Sequence, residues 1–254
     1  VFNERALRAL DYVIHQAKLH NVRLLIPFVN SWDDYGGMNQ YARWRSQMTA
    51  PTDAPTRRFA PSAQEKIVDG GNGRTYRYAN NSQFSHDDFY SDAIIKGWFK
   101  NYISTILNRV NTYTSVRYKD EPMIFGWELA NEPRSSDAST RLIYNWAVEM
   151  SSYIKTIDAS HLVGTGEEGF DVSSALYSSY YNNQAWLFDG SQGVSFESNS
   201  SISAIDFGSC HLYPESWSLS NSAGNVWIRD HTRIARTIRK PLIVGEFGIR
   251  EQQL

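Results

Sequence analysis

Two short runs carry acids where chemistry could be done: WELANEPR at 127–134 and VGEFG at 244–248. Each reads as a buried β-strand that presents a glutamate at its end, Glu132 in the first and Glu246 in the second. Two carboxyl groups flanking one bond are what glycoside hydrolysis requires. One protonates the departing oxygen, and the other attacks the anomeric carbon or activates water. At close range the two charges repel, so one carboxyl is expected to keep its proton near neutral pH. Asn131, beside Glu132, could donate to a sugar hydroxyl. His211 and Tyr213 share strand parity and face one side, so a tyrosine hydroxyl could reach and orient Glu246.

A glutamate at a strand end is, taken alone, more often a surface or ion-pair residue. Glu128 shares parity with Glu132, and a structural place in the interior is expected for it. The weight lies in the combination of NEP, HLYP and GEFG, each following an apolar run.

The elements that must position these residues alternate along the chain. Residues 3–20 repeat apolar side chains on one helical face, and VRLLIPFVN at 22–30 is a continuous apolar run suited to a strand covered on both faces. A polar segment from Ser31 to about Ser85 is long enough to be a functional loop or insertion. Ser85 and Asp88 stand in capping-box register before the helical pattern that ends near Tyr113. Strand-like EPMIFGWELANEP, helix-like STRLIYNWAVEMSSYIKTID and strand-like HLVGTGEEGF follow. After an irregular polar stretch at 171–204 come strand IDFGSCHLYP, helix AGNVWIRDHTRIARTIR and strand KPLIVGEFG. Five strands alternating with helices imply a parallel α/β sheet with right-handed crossovers. Asn30, Glu132, Glu168, His211 and Glu246 gather at strand exits, where a (β/α)8 TIM barrel builds its active site. One domain is expected over 1–254, with no repeat or linker to divide it.

A formal charge of −2 supplies no basic face, which argues against nucleic acid and anionic membrane as partners. The single cysteine, Cys210, rules out an internal disulfide framework and reads as a small strand residue. Aromatic residues make up 14% of the chain, so indole faces are available to stack on pyranose rings. Trp98, Trp127, Trp146 and Trp227 fall inside regular patterns and are expected to pack in the core. Asn80 and Asn199 begin sequons that would permit N-glycosylation of a secreted chain. His86 and its acidic neighbours in SHDDFYSD fit helix capping better than a metal site.

The stretches LIPFVNSWDDYGGMNQYARW, DDFYSDAIIKGWFKNYI, DEPMIFGWELANEPR, GEEGF, IDFGSCHLYPESW and KPLIVGEFG resemble glycoside hydrolase family 5, and within it the endo-β-1,4-mannanases of fungi and plants. That family belongs to a clan of retaining (β/α)8 glycosidases. The resemblance implies Glu132 as acid/base and Glu246 as nucleophile. It further implies Asn131 on the 2-hydroxyl of the sugar being cleaved, His211 and Tyr213 supporting the nucleophile, and Arg134 on the leaving-group side. Trp32 and Trp217 resemble sugar platforms, and Glu168 another cleft contact. The implied partner is a mannan-type polysaccharide or mannooligosaccharide, with no metal or organic cofactor, and the implied location is extracellular. The five strands register as the third to the seventh of the barrel. The first two and the last then lie outside these residues, and the rest of the same barrel is expected to be required. Within enzymes the alternatives are an exo-acting β-mannosidase or a β-1,4-glucanase. Outside enzymes the alternative is a non-catalytic carbohydrate-binding barrel.

Overall fold

The computed structural model describes residues 2–49, 65–69, 75–79, 84–172, 181 and 184–249. In chain order the elements are α1 (Glu4–Leu19), β1 (Leu24–Pro27), α2 (Gly37–Thr49), β2 (Glu65–Asp69), β3 (Thr75–Ala79), α3 (Asp88–Ser91) and α4 (Ala93–Asn108). There follow β4 (Ile124–Glu128), α5 (Arg141–Ile157), β5 (Leu162–Gly164), α6 (Phe196–Ser200), β6 (Gly208–Leu212), α7 (Asn221–Ile238) and β7 (Leu242–Phe247). β2 and β3 form an antiparallel hairpin.

The other five strands are parallel. β1, β4 and β5 lie side by side in that order, and β6 pairs with β7. The junction between β5 and β6 is closed by other hydrogen bonds. Asp206 N–H donates to the Val163 carbonyl at 2.7 Å, the Asp206 carboxylate accepts from Val163 N–H at 2.8 Å, and His211 N–H donates to the Glu168 carbonyl at 3.0 Å. The wall therefore runs β1-β4-β5-β6-β7 in sequence order, with helices between successive strands, as part of a (β/α)8 barrel.

The helices pack a largely aromatic layer against this wall. Phe28 stacks on Trp127 with centroids 5.2 Å apart, and Phe99 on Trp146 at 5.8 Å. Trp127, Trp146 and Trp227 are fully buried, and Trp98 packs partly buried against the same core. Cys210 is a buried free thiol, pushed by burial up to about 12.

Several local readings change. The polar segment holds the helix α2 and a hairpin, and 171–204 holds the short helix α6. Ser85 and Asp88 do interact, the Asp88 carboxylate accepting from Ser85 N–H at 2.6 Å. The long helix α4 nevertheless starts later, where the Asp92 side chain accepts from Ile94 and Ile95 N–H. Asn199 is fully buried, its side-chain amide donating to Glu167, so it is closed to glycan attachment in this fold. Asn80 lies outside the described residues.

α1 is tied down by a buried charge. The Asp11 carboxylate accepts from Arg109 Nε and Nη2 at 2.8 and 2.7 Å, from Tyr118 Oη at 2.6 Å and from Thr112 Oγ1 at 2.9 Å. Burial pushes this carboxyl up, but the donors outweigh it and hold it at about 2, below its ordinary 3.8. A lowered folded value means stability that is present above the unfolded value and lost as pH falls through the folded one. Asp11 thus contributes about 2 kcal/mol above pH 4 that disappears toward pH 2. Chemical denaturation at pH 5 and pH 2 should show that difference shrinking by about the same amount in Asp11→Asn.

Candidate active site

The strand exits are locked together by main-chain bonds. Asn131 N–H donates to the Val29 carbonyl at 2.7 Å, Ser31 N–H to the Asn131 carbonyl at 3.0 Å and Glu132 N–H to the Gly166 carbonyl at 2.8 Å. These bonds hold Glu132 at φ 50°, in the left-handed region that costs a non-glycine residue roughly 1–3 kcal/mol. Gly166 faces it at φ 76°, and a Cβ there would sit 1.8 Å from the Ala130 carbonyl oxygen. Only glycine allows the β4 and β5 exits to approach this closely.

Glu132 is buried. Its Oε1 accepts from His211 Nδ1 at 2.9 Å, and its Oε2 accepts from the Trp32 indole N–H. Glu246 comes from the adjoining strand pair, where His211 on β6 is registered beside it on β7. Its side chain is 37% exposed, and Oε2 accepts from Tyr213 Oη at 2.8 Å. One oxygen of Glu132, one oxygen of Glu246 and a ring nitrogen of His211 all lie within 4.8 Å of one another. The carboxylates thus face each other across a narrow gap with His211 at its edge. Among the described residues this trio is the grouping close enough to hold a cation. His211 Nδ1 gives its hydrogen to Glu132, so it has no lone pair free there for a metal.

Two expectations are corrected here. His211 bonds Glu132, and its nearest approach to Glu246 is 3.9 Å, beyond hydrogen-bond reach. Mutual repulsion does not leave Glu132 as a neutral acid either. Burial pushes its carboxyl up, but the His211 and Trp32 donors more than offset this and hold it below the ordinary value. Burial pushes the imidazole down, but Glu132 and then the Glu246 charge outweigh this and raise it.

Next to this pair stands an anchored cation. Arg134 Nε and Nη2 each donate to Glu168 at 2.7 Å, and Nη1 donates to Gln192 Oε1 at 2.8 Å. The guanidinium lies over the Trp32 ring at 5.1 Å and the Phe170 ring at 4.9 Å. Tyr90 Oη fixes the Arg134 carbonyl at 3.0 Å. Glu168 is therefore no open cleft contact: it is buried, with both oxygens on Arg134. Burial pushes its carboxyl up, against the Arg134 charge that pulls it down.

Trp217 is not an open platform. It is 5% exposed and packs against Trp227 and Phe170, with centroids at 5.1 and 5.4 Å. Trp32 is half-buried, held by its bond to Glu132 and by Arg134 over its ring. Asn131 Nδ2 donates to Asn30 Oδ1 at 3.2 Å, and the same oxygen accepts from Trp32 N–H at 3.1 Å. Asn30 is thus the hub that orients two site residues; the sequence places it at a strand exit but assigns it no role, and Gln192 is not singled out at all. For Asn30 the strand exit was a usable signal. Glu128 is buried in the interior against Ser209 Oγ at 3.0 Å.

Residues 1–253 match the family described as GH family 5 beta-mannosidase-like. Mannan endo-1,4-beta-mannosidase 4 of Solanum lycopersicum is 36% identical over 255 residues, covering 98% of this chain and 54% of that protein. Mannan endo-1,4-beta-mannosidase A of Aspergillus aculeatus is 35% identical over 243 residues, covering 96% and 51%. The chain spans about half the length of the curated relatives it matches. Among solved structures, the endo-beta-1,4-mannanase from Thermotoga petrophila aligns with a TM-score of 0.78 at 38% identity, covering 97% of this chain and 46% of that one. The endo-1,4-beta-mannanase from Rhizomucor miehei aligns at 0.76 and 36% identity, covering 98% and 62%. With the acids at its strand exits and a family match along nearly its whole length, this chain belongs to glycoside hydrolase family 5, in the beta-mannosidase-like group.

Proposed function

We propose that the complete protein cleaves internal β-1,4-mannosidic linkages of mannan, glucomannan and galactomannan with retention of configuration. The observation that carries this reading is the facing pair Glu132 and Glu246, with an oxygen of each inside 4.8 Å. Retaining pairs stand roughly 5–5.5 Å apart, whereas a pair that holds a water between its members needs roughly 6.5–9.5 Å. The names of the relatives favour mannan over glucan and endo over exo action.

In this mechanism Glu246 attacks the anomeric carbon while Glu132 protonates the glycosidic oxygen. The bond between carbon and oxygen breaks, its electron pair stays on the departing sugar, and a glycosyl ester forms on Glu246. Glu132 then draws a proton from water, which attacks the same carbon and releases Glu246. Glu132 obtains its first proton through the 2.9 Å hydrogen bond from His211 Nδ1. The donor in this step is the imidazolium: once it has given that proton up it is left as neutral imidazole, the Glu132 charge is gone and the two acids no longer repel. Tyr213 holds the attacking carboxylate in line. Asn131 addresses the 2-hydroxyl, Trp32 offers ring edge and remaining face to a sugar, and Arg134, braced by Glu168, lies toward the leaving group. Mannan, a cell-wall polymer, places the enzyme outside the cell.

Digestion of mannan and mannohexaose by the complete protein tests this. The early products should be mannobiose and mannotriose, with the new reducing end born as the β anomer by NMR. Mannose as the sole product would remove the endo assignment, and an initial α anomer would remove the retaining one.

A further inference from the structure

The loop that ends at Gly193 is built against the residue after Arg134. Ser135 N–H donates to the Gln192 carbonyl at 3.1 Å. Gly193 lies so near that a Cβ on it would sit 2.0 Å from Ser135 Oγ, and its φ is 73°. The loop closes on itself, with Gly193 N–H donating to the Gly190 carbonyl at 2.8 Å and Ser191 N–H to the Asp189 carboxylate at 2.8 Å. On this support the Gln192 side chain is aimed in one direction. Its Nε2 donates to Ser191 Oγ at 3.2 Å, which leaves Oε1 to accept from Arg134 Nη1 at 2.8 Å. Arginine has donors only, so the amide must present its oxygen there.

Arg134 belongs to the Glu132 half of the cleft. It lies over Trp32, whose N–H is on Glu132, and it also meets Glu168 and Phe170. Glu132 protonates the oxygen of the departing sugar in the mechanism above, so the half of the cleft beside it receives that sugar. Glu168 grips one edge of the guanidinium with both oxygens, and Gln192 takes a hydrogen from the remaining nitrogen. The second anchor stops the planar group from pivoting about the first. The Arg134 side chain remains 27% exposed, so it can still meet a sugar hydroxyl.

We propose that Gln192 is a positioning residue for sugar binding on the leaving-group side, acting through Arg134. It sets how firmly the enzyme holds the departing sugar and, by the same contact, the incoming sugar acceptor that competes with water. This rests on the proposed mannanase reading.

The test compares Gln192→Met, which keeps length but removes the acceptor, with Gln192→Glu, which restores an oxygen acceptor, in the complete protein. Two substrates are used: mannohexaose, which places sugars on both sides of the cleaved bond, and an aryl β-mannobioside, which places none on the leaving-group side. Gln192→Met should raise KM for mannohexaose roughly five- to tenfold, the loss expected for one hydrogen bond to a charged group acting indirectly. Its effect on the aryl substrate should be several times smaller, and the share of transglycosylation products should fall. Gln192→Glu should return KM to within about twofold of wild type. Equal losses on both substrates, or no loss on mannohexaose, would overturn the proposal. A wild-type protein that cleaves neither substrate would instead overturn the mannanase reading beneath it.

Discussion

In the complete protein, alanine in place of Glu246 should lower mannan turnover by at least about 10⁴-fold, because on the proposed mechanism the covalent intermediate then has no atom to form on. The folded structure should survive. Glu246 is partly exposed, and among the described residues its hydrogen bond is the one from Tyr213 at the cleft rather than one to the core. Azide added to this variant distinguishes a lost nucleophile from general damage. A small anion can occupy the space left by the carboxylate and attack the anomeric carbon from the same face. With Glu132 still able to protonate the leaving oxygen, one displacement yields the α-mannosyl azide, inverted from the substrate. Recovery of activity with β-mannosyl azide as product would mean that the two acids have been assigned in reverse.

Glu132→Ala should behave differently. Loss of a general acid costs on the order of 10²–10⁴-fold on a polysaccharide, whose departing alkoxide needs a proton. An aryl mannoside with an acidic phenol needs little protonation, so its first step should be nearly intact. The second step still lacks a base, and the glycosyl ester should accumulate. A burst of phenol followed by slow turnover is expected, together with a KM far below that of wild type. Azide needs no base, so it should restore turnover and give the β-mannosyl azide through two displacements. The pH profile should change as well, since Glu132 and His211 titrate as a hydrogen-bonded pair in the free protein. If Glu132→Ala lowered aryl and polymer cleavage equally, with no burst, Glu132 would have to be a structural residue.

Much of this architecture is readable before any coordinates. Apolar runs such as LLIP and IFGWE mark the wall strands: IFGWE is buried except at Phe125, whereas LLIP is only half-buried with Pro27 exposed, short of the cover on both faces expected of it. The residue at which each run meets the cleft is polar because the chain there leaves the wall. That logic finds Asn30, Glu132, Glu168, His211 and Glu246. Periodicity stops short of partner choice. Strand parity puts His211 and Tyr213 on one side, but a register shift between Cys210 and His211 sets which carboxylate each one reaches. Trp217 follows a proline in a loop-like stretch, and nothing local reveals that Trp227, ten residues on in α7, closes over it. α2 is hidden because its helical face is polar and its burial comes from distant α3 and α4. Gln192 gives no signal at all, because its role exists only through a contact 58 residues away in sequence.

The most direct measurement is covalent trapping. A mannoside with fluorine at C2 and a good leaving group on C1 forms the glycosyl ester quickly. Fluorine then destabilises the positively charged transition state through which the ester would break down. Digestion of the inactivated complete protein and mass spectrometry should place one fluoromannosyl group on the peptide holding VGEFG, at Glu246. A label on Glu132, or full turnover of the compound with no label on either acid, would contradict the account.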